Sequence, residues 1–341
     1  MKVVTFGEIM LRLKSPGFER FLQSPMLEAT FGGGEANVAV SLACLGMNSC
    51  YVTAVPDNPI GNACIGELKR YGVDTSMIIK TGKRLGTYYL EQGACQRSSV
   101  VIYDREHSAV SETPSEKYDW EKIFEDASWF HVTGITPAIS LNAADVTIAA
   151  VSFAKKKGVH VSCDLNYRSK LWKYGKKAPE VMGEVMQYVD VAIGNEEDCQ
   201  KSLGIEAKVS IENAGFNEDA YKEITDKVLS AYPNLKKVAI TLRQSISADV
   251  NGWSAVINNT KEYLTSMHYD INDIVDRIGS GDAFAAGLIY GFHKYDSDEA
   301  ALDFAVAASC LKHSVPGDLP LITEAEVMGL LKSGGSGRVQ L

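Results

Sequence analysis

The sequence predicts an α/β protein with a mostly parallel central sheet, helices on both faces and a small β-rich lid. Three observations point there. Short β-branched runs alternate with helix-like runs over most of the chain, the rhythm of parallel strands joined by covering helices. Several strand runs end in polar residues, and sheets of this kind bind ligands beyond the carboxyl ends of their strands. Two stretches break the rhythm and read as β ribbon.

Taken in order, "KVVTFGE", "CYVTAV", "WFHVTG", "HVSCDLN", "VDVAIGN" and "KVAITLR" are short and β-branched and read as buried strands. Between them "EANVAVSLACLG", "NACIGELKRYG", "LNAADVTIAAVSFAKKKG", "APEVMGEVMQYV" and "NEDAYKEITDKVLSAY" read as helices. Several of these end in Gly or precede Pro, as helix ends do. The breaks run from about residue 11 to 31 and from about 85 to 110. The second holds "GTYYLEQG" and "SSVVIYDREHSA" around a polar turn, a hairpin by pattern. Both are expected to form a lid inserted into one α/β domain spanning residues 1–341. The tail "KSGGSGRVQL" is Gly/Ser-rich and expected to fray.

Composition narrows the function. The hydrophobic fraction is 45% and the charged fraction 23%, ordinary for a soluble globular protein. A net charge of −9 argues against a general nucleic-acid or anionic-membrane surface. The opening "MKVVTFGEIMLRL" reads as a strand rather than a signal peptide, and no stretch approaches the ~20 apolar residues of a membrane span. Seven scattered cysteines, with no C-x-x-C pair, suit free buried thiols in a reducing cytoplasm better than zinc or disulfides.

Four segments carry candidate chemistry. In "DRIGSGDAFAAG" Gly279, Ser280 and Gly281 precede Asp282 at what reads as a helix start. Glycine costs about 1 kcal/mol inside a helix, but at its head it lets free N–H groups approach an anion. Asp282 would repel a simple anion. It fits a site that holds a phosphoryl group and also takes a proton from an attacking hydroxyl. The competing reading is a Gly-rich turn capping a core helix. "FGGGEANVAVSLACLG" places three glycines before a helix, with Asn37 in its first turns as donor and acceptor. In "CDLNYRSKLW" Asp164, Asn166 and Arg168 alternate, so an extended chain puts them on one face. "GNEEDCQ" offers Asn195, Glu197 and Asp198 to a magnesium ion, directly or through water. A plain acidic helix start explains it equally well.

In this order and at these separations, the four segments resemble the PfkB, or ribokinase-like, family of carbohydrate kinases, over nearly the whole chain. Glu35 in "GGGEANVA", with "CDLNYRSKLW" and "LKHSVPGDLP", is similar to the subgroup acting on sugar acids. The resemblance implies a ribokinase-like fold, ATP and Mg²⁺. It implies Asp282 as catalytic base and an anion hole at Gly279, Ser280 and Gly281. Gly33, Gly34 and Asn37 would hold substrate hydroxyls. Tyr89, Tyr103 and Arg105 match lid positions over the sugar acid, and Arg168 an arginine that meets the substrate. Asn166, Asn195, Thr241, Arg243 and Gly281 fall at nucleotide positions, and Asp198 at a metal position, with Glu197 acting through water. Three departures stand out. Asp198 is one methylene short of the usual Glu. Arg277 and Ile278 replace small or hydroxyl residues. Arg243 stands where glycine is usual.

The expectation is therefore an ATP-dependent sugar-acid kinase, acting on 2-keto-3-deoxygluconate to give its 6-phosphate. Sticky lid edges make a homodimer through the lid the expected assembly. The rivals are a fructose- or ribose-type kinase of the same family and a non-catalytic binding protein on the same fold. Arg105 and Arg168 argue against a neutral ligand, and Asp282 with its glycines against a non-catalytic one.

Overall fold

The computed structural model describes residues 1–206, 218–245, 247 and 250–334. Asn217 at the head of one expected helix, residues 246, 248 and 249, and the Gly/Ser tail beyond Gly334 lie outside the described residues.

The chain opens with β1 (Lys2–Phe6), leaves for β2 (Met10–Lys14) and β3 (Glu28–Gly32), and returns through α1 (Gly34–Cys44) to β4 (Asn48–Val52). The run "CYVTAV" is two strands, because β4 ends at Val52 and a short β5 (Ala54–Val55) follows. Helix α2 (Pro59–Arg70) leads to β6 (Ile79–Lys80), which pairs with β5. A second excursion makes β7 (Gly86–Glu91) and β8 (Val100–Asp104). Short helices α3 (Ala109–Glu112) and α4 (Trp120–Ile123) precede β9 (Ala127–Thr133). Then come α5 (Leu141–Lys156), β10 (His160–Asp164), α6 (Ala178–Met186), β11 (Val191–Gly194), α7 (Glu196–Leu203), α8 (Glu218–Ala231) and β12 (Lys237–Ser245). Strands β13 (Asn251–Asn258), β14 (Tyr263–Thr265) and β15 (Tyr269–Ile271) are followed by helices α9 (Ser280–Lys294), α10 (Asp298–Lys312) and α11 (Glu324–Ser333).

The central sheet has the order β14-β13-β12-β11-β10-β9-β1-β4, with β15 also on β13. From β12 to β4 every pairing is parallel, and the additions beyond β12 are antiparallel. Both faces are buried. Along β1, Val4 and Phe6 join Phe130 and Val161 on one side, while Val3 joins Trp129, Ile193 and Phe284 on the other. That period of two, apolar on both faces, is why these strands read as continuous hydrophobic runs.

A second sheet, β3-β2-β7-β8, is built from the two stretches that break the α/β rhythm. β7 and β8 form the expected antiparallel hairpin. The sheet stops at Asp104, short of residue 110, because Ala109 and Val110 pack into the main core as part of α3.

Helix starts differ around the molecule. α2, α5, α10 and α11 are capped by the side chains of Asn58, Ser140, Ser297 and Thr323. These satisfy N–H groups that no preceding turn can reach. α1 and α9 are headed instead by Gly33 and Gly279, which have no side chain to offer.

Candidate active site

Those two glycine-headed helices meet. Asn37, in the first turn of α1, donates its Nδ2 hydrogen to Asp282 Oδ2 at 2.7 Å, across 245 residues of sequence. The Gly33 N–H donates to Asn37 Oδ1 at 3.2 Å and fixes which end of the amide faces the acid. A side chain at Gly34 would begin 3.6 Å from Asp282 Oδ1 and 3.3 Å from Thr133 Cγ2. Space is thus kept clear in front of the carboxylate. Asp282 is 9% exposed, and burial raises its pKa to about 6, with the Asn37 hydrogen bond pulling the other way. A carboxyl tuned to that range is still ionised at neutral pH and is a better base than a surface aspartate.

The glycines beside it have different reasons. Gly279 has φ +85°, and a Cβ there would lie 2.0 Å from the Asp318 carbonyl oxygen, so the fold itself demands glycine. Gly281 has no left-handed backbone, and a Cβ there would meet nothing within 4 Å. Among the described residues no packing contact requires Gly281 to lack a side chain. Its N–H and that of Asp282 stand at the head of α9, where anions bind. The Ser280 N–H already reaches the Arg277 carbonyl at 3.3 Å, and the Ser280 carbonyl accepts from Ser309 Oγ at 2.7 Å.

Glu35, next to these groups in sequence, faces away from them. Its Oε1 accepts from the Thr133 N–H, Thr133 Oγ1 and Thr136 Oγ1. It is 1% exposed, and burial pushes its pKa up to about 7. Glu35 ties α1 to the end of β9.

At the end of β10 the chain does not stay extended. Asn166 adopts φ +34°, and its N–H turns back to Asp164 Oδ1 at 3.2 Å. Asp164, Asn166 and Arg168 therefore do not share a face by strand alternation. Asp164 is buried, and burial with the charges of Asp198 and Asp282 holds its pKa well above the carboxylate range. Arg168 is exposed, donates to the Tyr167 carbonyl at 3.0 Å, and its charge favours the ionised forms of Asp164, Asp198 and Asp282.

"GNEED" forms a reciprocal cap. Asp198 Oδ2 accepts the Asn195 N–H at 3.0 Å, and Asn195 Oδ1 accepts the Asp198 N–H at 2.8 Å. Asp198 Oδ1 accepts the Tyr167 N–H at 2.7 Å. Both oxygens of the expected metal ligand thus hold backbone, joining the start of α7 to the turn after β10. Glu197 is exposed. Among the described residues no group of three or more His, Cys, Asp or Glu side chains is arranged to hold a metal.

Thr241 lies at the same sheet edge, its Oγ1 3.4 Å from the Gly194 carbonyl. Arg243 follows, its pKa lowered by desolvation and by the charges of Arg277 and Arg168, with Glu196 opposing. Arg243, Arg277 and Arg168 thus act on one another at this edge, with Glu196 beside Arg243 and Asp164, Asp198 and Asp282 in the field of Arg168, and guanidiniums gathered in this way suit phosphates.

The small sheet changes one assignment. Tyr88 is paired with Tyr103, and Tyr89 with Ile102, and directly opposed residues share a face. Tyr89 and Tyr103 are therefore on opposite faces and cannot cover the same ligand. Tyr88 is the tyrosine beside Tyr103, with ring centroids 6.0 Å apart. Arg105 stacks over Tyr103 at 5.5 Å, but it is not an uncommitted cation. It is 8% exposed, and its Nε donates to Glu8 Oε2 at 2.7 Å, with Nη2 on the same oxygen.

A buried network that sequence reading missed lies behind this face. Arg12, 1% exposed, bridges Asp276, at 2.7 Å, and Asp318. The Tyr88 hydroxyl also donates to Asp318. The small sheet is thereby bound to the loop leading into Gly279. The only signal was an arginine in the alternating strand "MLRLK" at a position that turns inward.

The comparisons agree with this geometry. The chain is 31% identical over 344 residues to the 2-dehydro-3-deoxygalactonokinase of Haloferax volcanii, covering 98% of each chain. It is 26% identical over 320 residues to the 2-dehydro-3-deoxygluconokinase of Bacillus subtilis, covering 94% of this chain and 91% of that one. The crystal structure of 2-dehydro-3-deoxygluconokinase from Thermotoga maritima superposes with a TM-score of 0.91 at 47% identity, covering 98% of this chain and 100% of that one. The sequence pattern of the pfkB family carbohydrate kinases matches residues 1–323. With a ribokinase-like sheet and an acid at the head of a glycine-led helix beyond its carboxyl edge, this chain belongs to the pfkB family of carbohydrate kinases.

Proposed function

We propose that the chain phosphorylates 2-keto-3-deoxygluconate on its 6-hydroxyl, with ATP as donor. The observation that carries the chemistry is Asp282, buried and held by Asn37, beside Gly281, where a Cβ would meet no atom of the described residues within 4 Å and room is left for a ligand. The hydroxyl oxygen attacks the γ-phosphorus, the bond to the β,γ-bridging oxygen breaks, and ADP leaves. Asp282 accepts the hydroxyl proton. N–H groups at Gly281 and Asp282 face the charge on the transferring oxygens, while Gly279 and Ser280 shape the turn. Gly33, Gly34 and Asn37 border the sugar, and Thr241, Asn166, Asn195 and Arg243 the nucleotide.

Mg²⁺ fits the donor set, since Asp164 is a buried acid whose ionised form is opposed by Asp198 and Asp282. Asp164 is the acid that would face such a cation, whose charge would offset that repulsion. The cation would neutralise phosphate charge. Asp198 positions the backbone instead of ligating directly.

Arg168 is the guanidinium left to meet the sugar carboxylate, since Arg105 is matched by Glu8. The small sheet acts as lid, with Tyr88, Tyr103 and Arg105 on its inner face. Val100 and Ile102 on its edge strand are exposed at 42% and 51%, which supports a homodimer through the lid. Cytoplasmic residence fits seven free cysteines, and among the described residues no helix is long and apolar enough to cross a membrane.

The test is ADP release with 2-keto-3-deoxygluconate, 2-keto-3-deoxygalactonate, fructose and ribose. A higher kcat/KM for a neutral sugar sinks the sugar-acid reading. Arg168→Lys keeps the charge but not the bidentate fork, and it is expected to raise KM for the sugar acid and leave KM for ATP little changed.

A further inference from the structure

Lys312, the last residue of α10, is 0% exposed. Burying an ammonium costs several kcal/mol unless something compensates, so a lysine kept only for packing is a poor choice where methionine would fit. Its Nζ donates to two backbone carbonyls, Val315 at 2.9 Å and Asp276 at 3.3 Å. The nearby carboxylates of Asp276 and Asp318 give oxygens to Arg12 instead.

The place of this ammonium is specific. The Lys312 Cε would be 3.3 Å from a Cβ on Gly279, so its stem runs directly under the αL turn at the head of α9. Asp276, whose carbonyl it holds, is three residues earlier. The same Asp276 is fixed on its other side, where its carboxylate accepts the Ile278 and Gly317 N–H groups, each at 3.1 Å. Ser309, one turn before Lys312 on α10, holds the Ser280 carbonyl at 2.7 Å. The His313 carbonyl accepts the Val275 and Asp276 N–H groups. One end of α10 thus holds the 275–280 segment at Val275, Asp276 and Ser280, and among the described residues the charged group making these contacts is Lys312.

We propose that Lys312 is a positioning residue for phosphoryl transfer: a built-in monovalent cation that turns the Asp276 carbonyl inward, fixes the Gly279 turn, and adds positive charge behind the N–H groups at the head of α9. An ammonium held by carbonyl oxygens does what a bound potassium or ammonium ion would do there, without a binding equilibrium. Its charge also favours the ionised form of Asp282. This rests on reading Gly281 and Asp282 as the phosphoryl-binding N–H groups.

The experiment compares Lys312→Met, which keeps volume and loses charge, with Lys312→Ala, which leaves room for a small cation. Each is assayed with the best sugar substrate at fixed ionic strength in tetramethylammonium, potassium or ammonium chloride. Lys312→Met is expected to keep KM for the sugar and lose on the order of tenfold in kcat, less than the roughly 10² to 10³-fold cost of a direct oxyanion donor. Lys312→Ala is expected to lose as much in tetramethylammonium and to regain activity in ammonium or potassium. Wild-type kcat should be the same in all three salts. A Lys312→Met enzyme with wild-type kcat overturns the proposal, as does a Lys312→Ala loss that small cations do not relieve. If neither variant folds, the wild type decides, because a kcat that rises severalfold with potassium shows that the cation is not supplied from within. Failure of the underlying reading looks different: Gly281→Ala would then leave single-turnover transfer intact, whatever Lys312 does.

Discussion

Asp282→Asn should make the protein more stable and nearly inactive at once. The change is close to isosteric, and an asparagine oxygen can still accept from Asn37 Nδ2. What disappears is a charge that the fold opposes. Burial is the largest cause of the rise in the Asp282 pKa from 3.8 to about 6, and Asp318 adds to it. That difference amounts to about 3 kcal/mol of unfavourable ionisation in the native state at neutral pH. For 341 residues the unfolding entropy is about 0.7 kcal/mol/K, so Tm should rise by about 4 °C. The sign follows from linkage. A carboxyl whose folded pKa is raised costs nothing below its ordinary pKa, and its cost grows between about pH 4 and 6. Calorimetry should therefore find variant and wild type equal near pH 4 and separated at pH 7.5. Over the same range wild-type kcat/KM should fall as pH drops below about 6, where the base takes up its proton. The variant's kcat should be lower by roughly 10² to 10⁴-fold. A Tm that drops at pH 7.5 would refute the claim that Asp282 is held ionised against its surroundings. A kcat loss under tenfold would remove it from the role of base.

Three further outcomes are expected. Gly281→Ala should keep Tm, because its Cβ meets nothing, while single-turnover transfer slows; a loss of stability with transfer intact would make Gly281 a plain helix cap. Arg105→Ala leaves Glu8 buried without its partner, a change worth about 3–5 kcal/mol, or about 4–7 °C in Tm. An Arg105→Met, Glu8→Gln double variant should recover most of it, and calorimetry that finds no loss in the single variant would mean the pair is not buried in solution. Tyr88→Phe removes a hydroxyl from the buried Asp318, costing about 1.5–3 kcal/mol, whereas Tyr89→Phe on the other face should stay within about 0.5 kcal/mol; equal urea midpoints would contradict the β7–β8 register.

The sequence by itself determined the parallel core, a hairpin within about residues 85–110, the glycine-led helix at Asp282 and the family, while the structure ends the hairpin at Asp104. These are written locally, in strand runs apolar on both faces, a polar turn between ribbons, and glycines at fixed spacing from an acid. Pairings across long separations were not legible, because period and spacing say which face a side chain takes but not what waits there. Tertiary structure decided that Tyr88, not Tyr89, shares the inner face with Tyr103, since register depends on which residues of two strands oppose. It decided that Asp198 holds backbone and that Arg105 is matched by Glu8, because a buried charge must find a partner and only folding supplies one. It also placed Lys312, 30 residues beyond Asp282, beneath the same turn, where a buried ammonium finds its acceptors in two carbonyls that no sequence pattern brings together.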